Sequence, residues 1–121
     1  MKKVYLFCSA GMSTSILASK MQEVANSHNL PIKVAAFSHN KLGEIVKSDC
    51  PDCILLGPQV EYLYDETVAN FGHLNIPISV IDQDDYGMMN GERVLKKAIL
   101  LIKKNNAKFM KNVATRSLNL T

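Results

Sequence analysis

The fold class follows from one continuous stretch near the amino end, Val4-Tyr5-Leu6-Phe7-Cys8-Ser9-Ala10-Gly11-Met12-Ser13-Thr14-Ser15. Its first four residues form an unbroken β-branched, aliphatic and aromatic run, which is typical of a strand buried on both faces of a parallel sheet. From residue 13 to about residue 26, apolar side chains recur at i, i+4 and i+7, so this segment is predicted to be a helix. Serine and threonine side chains at its start can accept hydrogen bonds from free N–H groups of the first turn. A strand, a short loop with one glycine and a helix indicate the first βα unit of an α/β domain.

The same alternation continues along the chain. Further strands are predicted at residues 32–37, 53–56 and 78–81, and further helices at residues 41–47, 58–70 and 90–105. Residues 82–91 are polar, contain two glycines and are predicted to be a loop. Strands joined through helices give a parallel sheet that is covered on both faces. The predicted architecture is an α/β three-layer sandwich with a four-stranded parallel sheet, flavodoxin-like and resembling the low-molecular-weight tyrosine phosphatases.

Length and composition suit one soluble globular domain, since the chain has 121 residues, of which 47% are hydrophobic and 21% charged. No apolar run approaches the roughly 18 residues that span a bilayer, and the apolar stretch before Cys8 is too short for a signal peptide. Three cysteines, an odd number, predict free thiols and a cytoplasmic protein with no direct membrane insertion. Eleven acidic and six basic residues lie at or before Glu92, a net charge of −5, whereas eight basic residues and no acidic one follow. We therefore predict a domain over residues 1–105 and a basic, flexible tail over residues 106–121.

The loop after the first strand contains the candidate chemistry. Cys8 ends the strand, and the small and hydroxyl residues that follow allow successive backbone N–H groups to curl around an anion. The helix that comes next adds unpaired N–H groups and the positive end of its dipole, which favour a thiolate and a phosphate group. A thiolate within such a loop is suited to accept a phosphoryl group. A cysteine that ends a buried strand can also be a small core residue. Neither a nucleotide-binding P-loop motif nor a dinucleotide fingerprint is present.

Two thiol chemistries fit this loop. The low-molecular-weight tyrosine phosphatases resemble it, with a cysteine after the first strand, five intervening residues and then an arginine. Thr14 occupies the arginine position, and no arginine precedes Arg93. Without a guanidinium group on the phosphoryl oxygens, hydrolysis would be slow. A cysteine that accepts phosphate and hydrolyses it slowly is suited to the role of a phosphoryl carrier.

A more specific resemblance then becomes apparent. The first stretch, together with Lys20-Met21, looks like the cellobiose/lactose-type enzyme IIB of the bacterial sugar phosphotransferase system. The likeness continues to about residue 105 through Ile54-Leu55-Leu56-Gly57-Pro58-Gln59, Val80-Ile81-Asp82, Tyr86-Gly87 and the lysine-bearing last helix. The acidic segment Asp82-Gln83-Asp84-Asp85 and the tail from Ala107 depart from the family pattern.

The resemblance implies a phosphoryl relay. It assigns Cys8 as the catalytic nucleophile, which takes a phosphoryl group from a phosphohistidine of the IIA component. The group then passes to a sugar, expected to be a β-linked disaccharide such as cellobiose, that the membrane IIC component binds. The phosphate-binding loop would comprise Ser9, Ala10, Gly11, Met12, Ser13, Thr14 and Ser15. No metal and no bound cofactor is implied. A cysteine phosphatase and a regulatory phospho-binding module remain the alternatives, and the contributions of Asp82 and Tyr86 stay open.

Other features favour structural roles. Cys50 and Cys53 have C-x-x-C spacing, but no second Cys or His pair accompanies them, so coincidence is favoured over a redox or zinc site. Asp82 is interpreted as a turn residue rather than a general acid, and Gly57-Pro58-Gln59 as part of a partner-docking rim. Surface positions in solvent are predicted for the histidines His28, His39 and His73. The same holds for the carboxyl-terminal lysines Lys96, Lys97, Lys103, Lys104, Lys108 and Lys111. Few aromatic residues lie between those lysines, which argues against nucleic acid as a partner.

Overall fold

A computed structural model describes residues 1–9 and 12–119, with side chains over residues 1–9 and 13–106. All four predicted strands are present, as β1 Lys2–Cys8, β2 Ile32–Ser38, β3 Cys53–Leu56 and β4 Ile78–Val80. The α-helices are α1 Met12–Ser27, α2 Leu42–Asp49, α3 Tyr64–Phe71, α4 Gln83–Gly87 and α5 Gly91–Asn119. Short 3-10 segments occur at His39–Lys41, Pro58–Leu63 and Gly72–Leu74.

The strands form one parallel sheet in the order β2-β1-β3-β4. Side chains of β1 alternate between the two faces of this sheet, as the period of a strand requires. Val4 and Leu6 belong to the core cluster that includes Leu17 of α1 and Leu95 of α5. The next residues of the strand, Tyr5 and Phe7, belong to a second cluster, built with α2 and α3. Both faces of the strand are buried from Val4 to Cys8, which accounts for the unbroken apolar run there, and the predicted three-layer α/β architecture is confirmed.

Three element boundaries differ from the sequence prediction. The segment expected to be one helix over residues 58–70 begins as a 3-10 segment, in which Val60 has the non-helical angles φ −119° and ψ 26°. The expected loop at residues 82–91 contains α4, because the Asp82 side chain caps its N–H groups. The last helix, expected to end near Asn105, continues to Asn119, since no proline or glycine interrupts residues 106–119.

A polar cluster fastens α2 to β1 at the amino end of the sheet. The Tyr5 hydroxyl donates a 2.8 Å hydrogen bond to Oδ2 of Asp49, and Lys3 Nζ donates to the Asp49 carbonyl oxygen at 2.9 Å. Burial, reinforced by the hydrogen bond to Asp49, raises the pKa of Tyr5 to about 12. The same hydrogen bond lowers the pKa of the Asp49 carboxyl group. This cluster lies at the end of β1 opposite Cys8.

Helices α1 and α5 approach each other closely at Gly91. A Cβ atom built on this glycine would lie 2.9 Å from Lys20 C, Lys20 Cβ and Met21 N. Only a residue without a side chain fits at this distance. The contact fixes the start of α5 against the middle of α1. No helix in the described part of the chain is both long and apolar enough to cross a membrane.

Candidate functional site

The candidate site lies where the carboxyl ends of the parallel strands meet. Cys8 ends β1 and pairs in register with Ser38, the last residue of β2. On the other side of β1, the Gly57 N–H donates a 2.8 Å hydrogen bond to the Phe7 carbonyl oxygen. The backbone at Cys8 is therefore supported from both neighbouring strands. This is the edge at which ligands bind in parallel α/β sheets.

Cys8 is nearly enclosed, with 6% of its surface exposed. Gly57 covers it closely, because a Cβ atom built on Gly57 would lie 3.1 Å from Cys8 Cβ and 3.0 Å from Oε1 of Gln59. The backbone of Gly57 has φ −62° and ψ 153°, which any residue can adopt. The glycine is therefore required by the close approach to Cys8 and not by its dihedral angles. Gly57 thus lies against Cys8, and the side chain of Gln59 lies next to Gly57.

The predicted phosphate loop is only partly described. Ser9 follows the strand and is exposed, whereas Ala10 and Gly11 lie outside the described residues. Helix α1 begins at Met12, and the side chains of Ser13 and Ser15 in its first turn are exposed. The first turn of an α-helix has N–H groups without an intrahelical acceptor, so this end of α1 suits an anion. The structure thus places a helix amino end directly after the loop that follows Cys8.

Thr14 differs from the serines on either side of it. Only 1% of its surface is exposed, and its Oγ1 lies 3.1 Å from the hydroxyl oxygen of Tyr86. The two residues are 72 positions apart in the chain. The hydroxyl group of Thr14 therefore has a partner within the protein, and its contact with a phosphoryl group stays a prediction.

His39 is a residue at the site that the sequence interpretation missed. It was expected to be a solvated surface residue, but it is half-buried, and its Nδ1 lies 3.1 Å from the Cys8 carbonyl oxygen. The cause is the register of the sheet, since Cys8 pairs with Ser38 and His39 follows immediately. No motif in the sequence marks this contact, because it depends on the register between β1 and β2. The other two histidines, His28 and His73, are exposed as predicted.

The acidic segment after β4 has a structural role. Oδ1 of Asp82 accepts hydrogen bonds from the N–H groups of Asp84 at 2.9 Å and Asp85 at 3.2 Å. The N–H of Asp85, followed by that of Asp84, lowers the pKa of the Asp82 carboxyl group. Asp82 is therefore the N-cap residue of α4, which is a structural role. Asp85 is buried and is neutralised by Lys97 Nζ at 2.8 Å and Arg93 Nε at 3.1 Å.

The remaining candidate groups are accounted for by local contacts. Cys50 is exposed, whereas Cys53 is buried, and burial raises the pKa of the Cys53 thiol to about 12. Within the described residues, no group of three or more His, Cys, Asp or Glu side chains could hold a metal ion. The α5 lysines whose side chains are described are exposed as predicted, and Lys96 also pairs with Glu92 at 3.2 Å and Lys97 with Asp85 at 2.8 Å. The side chains of Lys108 and Lys111 lie outside the described part.

Comparisons with known proteins agree on one family. The family model of the lactose/cellobiose-specific IIB subunit of the phosphotransferase system matches residues 3–97. The oligo-beta-mannoside-specific EIIB component of Bacillus subtilis is 37% identical over 102 residues, which cover 84% of this chain and 97% of that protein. Two Lactococcus lactis proteins, a galactose-specific and a cellobiose-specific EIIB component, are each 39% identical over 100 residues. For both, the match covers 80% of this chain and 93% of the relative.

Solved structures show the same fold. The solution structure of the cellobiose-specific phosphotransferase IIB component from Borrelia burgdorferi superposes with a TM-score of 0.70 at 35% identity. It covers 86% of this chain and 94% of that one. The lactose-specific IIB domain from Streptococcus pneumoniae gives a TM-score of 0.73 at 22% identity, covering 81% and 94% of the two chains. The chain therefore belongs to the lactose/cellobiose-specific IIB family, and it is a phosphotransferase component of sugar transport.

Proposed function

We propose that Cys8 is the residue that carries the phosphoryl group in this transport system. The supporting observation is its position, nearly enclosed at the end of β1 and followed by the amino end of α1. Backbone N–H groups of residues 9–15 form the phosphate-binding loop in this proposal, and the serine hydroxyls add donors. The proposal needs no metal ion and no bound cofactor.

Both transfer steps are nucleophilic substitutions at phosphorus. In the first step, the Cys8 thiolate sulfur attacks the phosphorus atom of a phosphohistidine on the IIA protein. The N–P bond breaks, the imidazole leaves with its electron pair, and an S–P bond forms. In the second step, a hydroxyl oxygen of the sugar held by the membrane IIC protein attacks phosphorus, the S–P bond breaks, the hydroxyl proton is released to solvent, and the thiolate is regenerated. Positioning and backbone hydrogen bonds supply the catalysis, as is general for phosphoryl transfer.

The proposed setting is the cytoplasm, with IIA and IIC as successive partners. Gly57-Pro58-Gln59 follows β3 beside Cys8, so we assign these residues to the rim on which both partners dock. The two partners must use the same edge in turn, which requires a modest and transient interface. No nucleic acid and no insertion into the membrane is part of the proposal.

The first experiment measures intact mass before and after incubation with a phosphorylated IIA protein. We expect one phosphoryl group on the wild-type chain and none on Cys8→Ser. Cys50→Ser is the matched control, since it makes the same substitution at an exposed cysteine outside the site. The proposal fails if the wild type takes up no phosphoryl group, or if Cys8→Ser takes it up equally well.

Hydrolysis of an aryl phosphate separates a carrier from a cysteine phosphatase. Thr14 stands in the position of the phosphatase arginine, and Arg93 is paired with Asp85. We therefore expect negligible turnover of an aryl phosphate by the wild-type protein. Rapid turnover that Cys8→Ser abolishes would assign the phosphatase function instead. Transfer onward to sugar, in the assay that follows, excludes a purely regulatory phospho-binding module.

For the sugar, we propose a β-linked disaccharide of the cellobiose type. Relatives named for oligo-beta-mannosides and for cellobiose support this class, whereas another relative is named for galactose. The test supplies phosphorylated protein to membranes that contain the IIC protein, with radiolabelled cellobiose, mannobiose or galactose. Phosphorylation of a disaccharide is the expected result, and phosphorylation of galactose alone would contradict it.

The domain boundary is also proposed from these observations. The family match ends at residue 97, and α5 continues beyond it to Asn119. We assign the phosphocarrier domain to residues 1–105 and propose that the basic tail, residues 106–121, is not needed for folding or for phosphoryl uptake. A chain truncated after residue 105 is expected to fold and to accept a phosphoryl group at the wild-type rate. Loss of either property would place the tail within the domain.

A further inference from the structure

The contact between Tyr86 and Thr14 links two elements that the sequence places far apart. Tyr86 lies in α4, which follows β4, and Thr14 lies in the first turn of α1, which follows the Cys8 loop. Their hydroxyl oxygens are 3.1 Å apart, and the Thr14 side chain is buried. A phenol and a threonine hydroxyl can each donate or accept, so one bond satisfies the buried group in either direction. Its loss would remove the side-chain hydrogen bond that this buried hydroxyl group makes among the described residues.

Helix α4, which carries Tyr86, is short, but it is held by its amino-terminal cap and by ion pairs to α5. Asp82 caps its amino end through the N–H groups of Asp84 and Asp85. The Asp85 side chain, 6% exposed, binds Lys97 and Arg93 of α5. Helix α5 is in turn fixed against α1, because its first residue, Gly91, touches the backbone of α1. These contacts fix the position of α4 and therefore the position of the Tyr86 hydroxyl group.

We propose that Tyr86 is a positioning residue for phosphoryl transfer at Cys8. Its hydrogen bond to Thr14 holds the first turn of α1 in place relative to the end of β1. The N–H groups of that turn then face the phosphoryl group without rearrangement. This inference rests on the proposed function of Cys8 and concerns the same site. A displacement of about 1 Å at a reacting centre can cost roughly a hundredfold in rate. A single hydrogen bond that fixes this turn can therefore change the rate of phosphoryl transfer measurably.

The test replaces Tyr86 by phenylalanine, which keeps the ring and removes only the hydroxyl. Tyr64→Phe is the matched control, because Tyr64 is 39% exposed in α3 and is not among the residues assigned to the phosphate-binding loop or the docking rim. Single-turnover uptake from a phosphorylated IIA protein is measured as a function of its concentration. We expect Tyr86→Phe to lower the maximal rate about tenfold while the half-saturating IIA concentration changes less than about twofold. A loss of affinity with an unchanged maximal rate would overturn the positioning role.

A double-mutant cycle tests whether the effect passes through Thr14. Thr14→Val removes the other hydroxyl group, and we expect the double variant to be no slower than the slower single variant. Thr14→Ser, which keeps a hydroxyl, is expected to recover most of the rate lost in Thr14→Val. Independent, multiplicative effects of the two single variants would show that the hydrogen bond is not the cause. Thermal unfolding of each variant is followed in parallel, and a rate loss that tracks stability alone would also overturn the inference.

Alkylation of Cys8 tests the role of Tyr86 without depending on the proposed phosphoryl transfer. The alkylation rate of Cys8 by iodoacetamide, followed on the peptide that contains it, depends on loop geometry and needs no phosphoryl donor. A change in Tyr86→Phe but not in Tyr64→Phe supports positioning, even if wild-type protein accepts no phosphoryl group and the proposed function fails. If wild type is phosphorylated and Tyr86→Phe matches Tyr64→Phe in both assays, the proposed function stands and the role of Tyr86 is refuted.

Discussion

Substitution of Gly91 by alanine should separate α1 from α5. The new Cβ atom would lie 2.9 Å from three atoms, and two of them, Lys20 C and Met21 N, are backbone atoms of α1 that no rotamer change can move. Restoring an ordinary contact of 3.4 Å requires the two helices to move apart by about 0.5 Å. Overpacking of this kind costs about 1–3 kcal/mol. Because the displaced surfaces belong to the core cluster beneath α1 and α5, we expect the clash to lower the free energy of unfolding by about 2 kcal/mol.

Gly87 provides the matched control for this substitution. A Cβ atom there would meet no atom within 4 Å, and its φ is not positive. Both variants reduce the conformational freedom of the unfolded chain equally, an effect that stabilises by about 0.4–1 kcal/mol where the native state is compatible. Chemical unfolding in urea measures both free energies of unfolding, and the difference between the two variants isolates the native-state clash. We expect Gly91→Ala to melt roughly 8 °C below Gly87→Ala. Equal stabilities of the two variants would refute the argument from helix contact.

Three further perturbations follow from the structure. Gly57→Ala places its methyl group 3.1 Å from Cys8 Cβ, so we expect a stability cost of about 1 kcal/mol and a roughly tenfold slower phosphoryl uptake. Tyr5→Phe removes the hydrogen bond that lowers the pKa of Asp49, so wild type should exceed this variant in stability most at neutral pH. The difference should shrink as the pH falls below the ordinary carboxyl pKa of 3.8. Cys53, whose pKa burial raises to about 12, should resist alkylation at pH 8 until the protein unfolds.

Each of these predictions has an outcome that would contradict it. For Gly57→Ala, wild-type uptake with wild-type stability would mean that Cys8 is not confined by Gly57. For Tyr5→Phe, the sign follows because a lowered folded pKa stabilises above the unfolded value and that contribution is lost in acid. A stability difference that stays constant between pH 7 and pH 2.5 would exclude Asp49 as the partner. For Cys53, the exposed Cys50 serves as the internal reference, and equal rates at both thiols would contradict the buried assignment.

The central strand and the place of Cys8 at its end could be predicted because they depend on local pattern. An unbroken apolar run identifies β1, and the residue at its end must lie at the carboxyl edge of the sheet. Predicting the contact of His39 with Cys8 requires the register between β1 and β2, and hydrophobic periodicity alone does not supply that register. Similarly, the bond between Thr14 and Tyr86 spans 72 positions and depends on how α4 packs.

The predicted helix boundaries were wrong in two places, where one side chain starts a helix and where no helix-breaking residue ends one. Helix α4 was expected to be loop because its sequence is polar, yet the carboxylate of Asp82 supplies the acceptor that starts a helix. The end of α5 was set near Asn105 because apolar periodicity weakens there. Helix formation continues to Asn119 in a segment of ordinary helix propensity without glycine or proline. Polar sequence was therefore a poor guide to loops in this chain.

The interior position of β1 has a consequence for how such a protein can diversify. A neighbouring strand lies on each side of the cysteine, whereas β2 and β4 form the sheet edges. The segments after β2 and β3 each contribute a contact at Cys8, through His39 and Gly57, so they can vary only where those contacts are kept. Under the proposed function, partner recognition can therefore diversify over evolutionary time at those positions of these segments that do not contact Cys8.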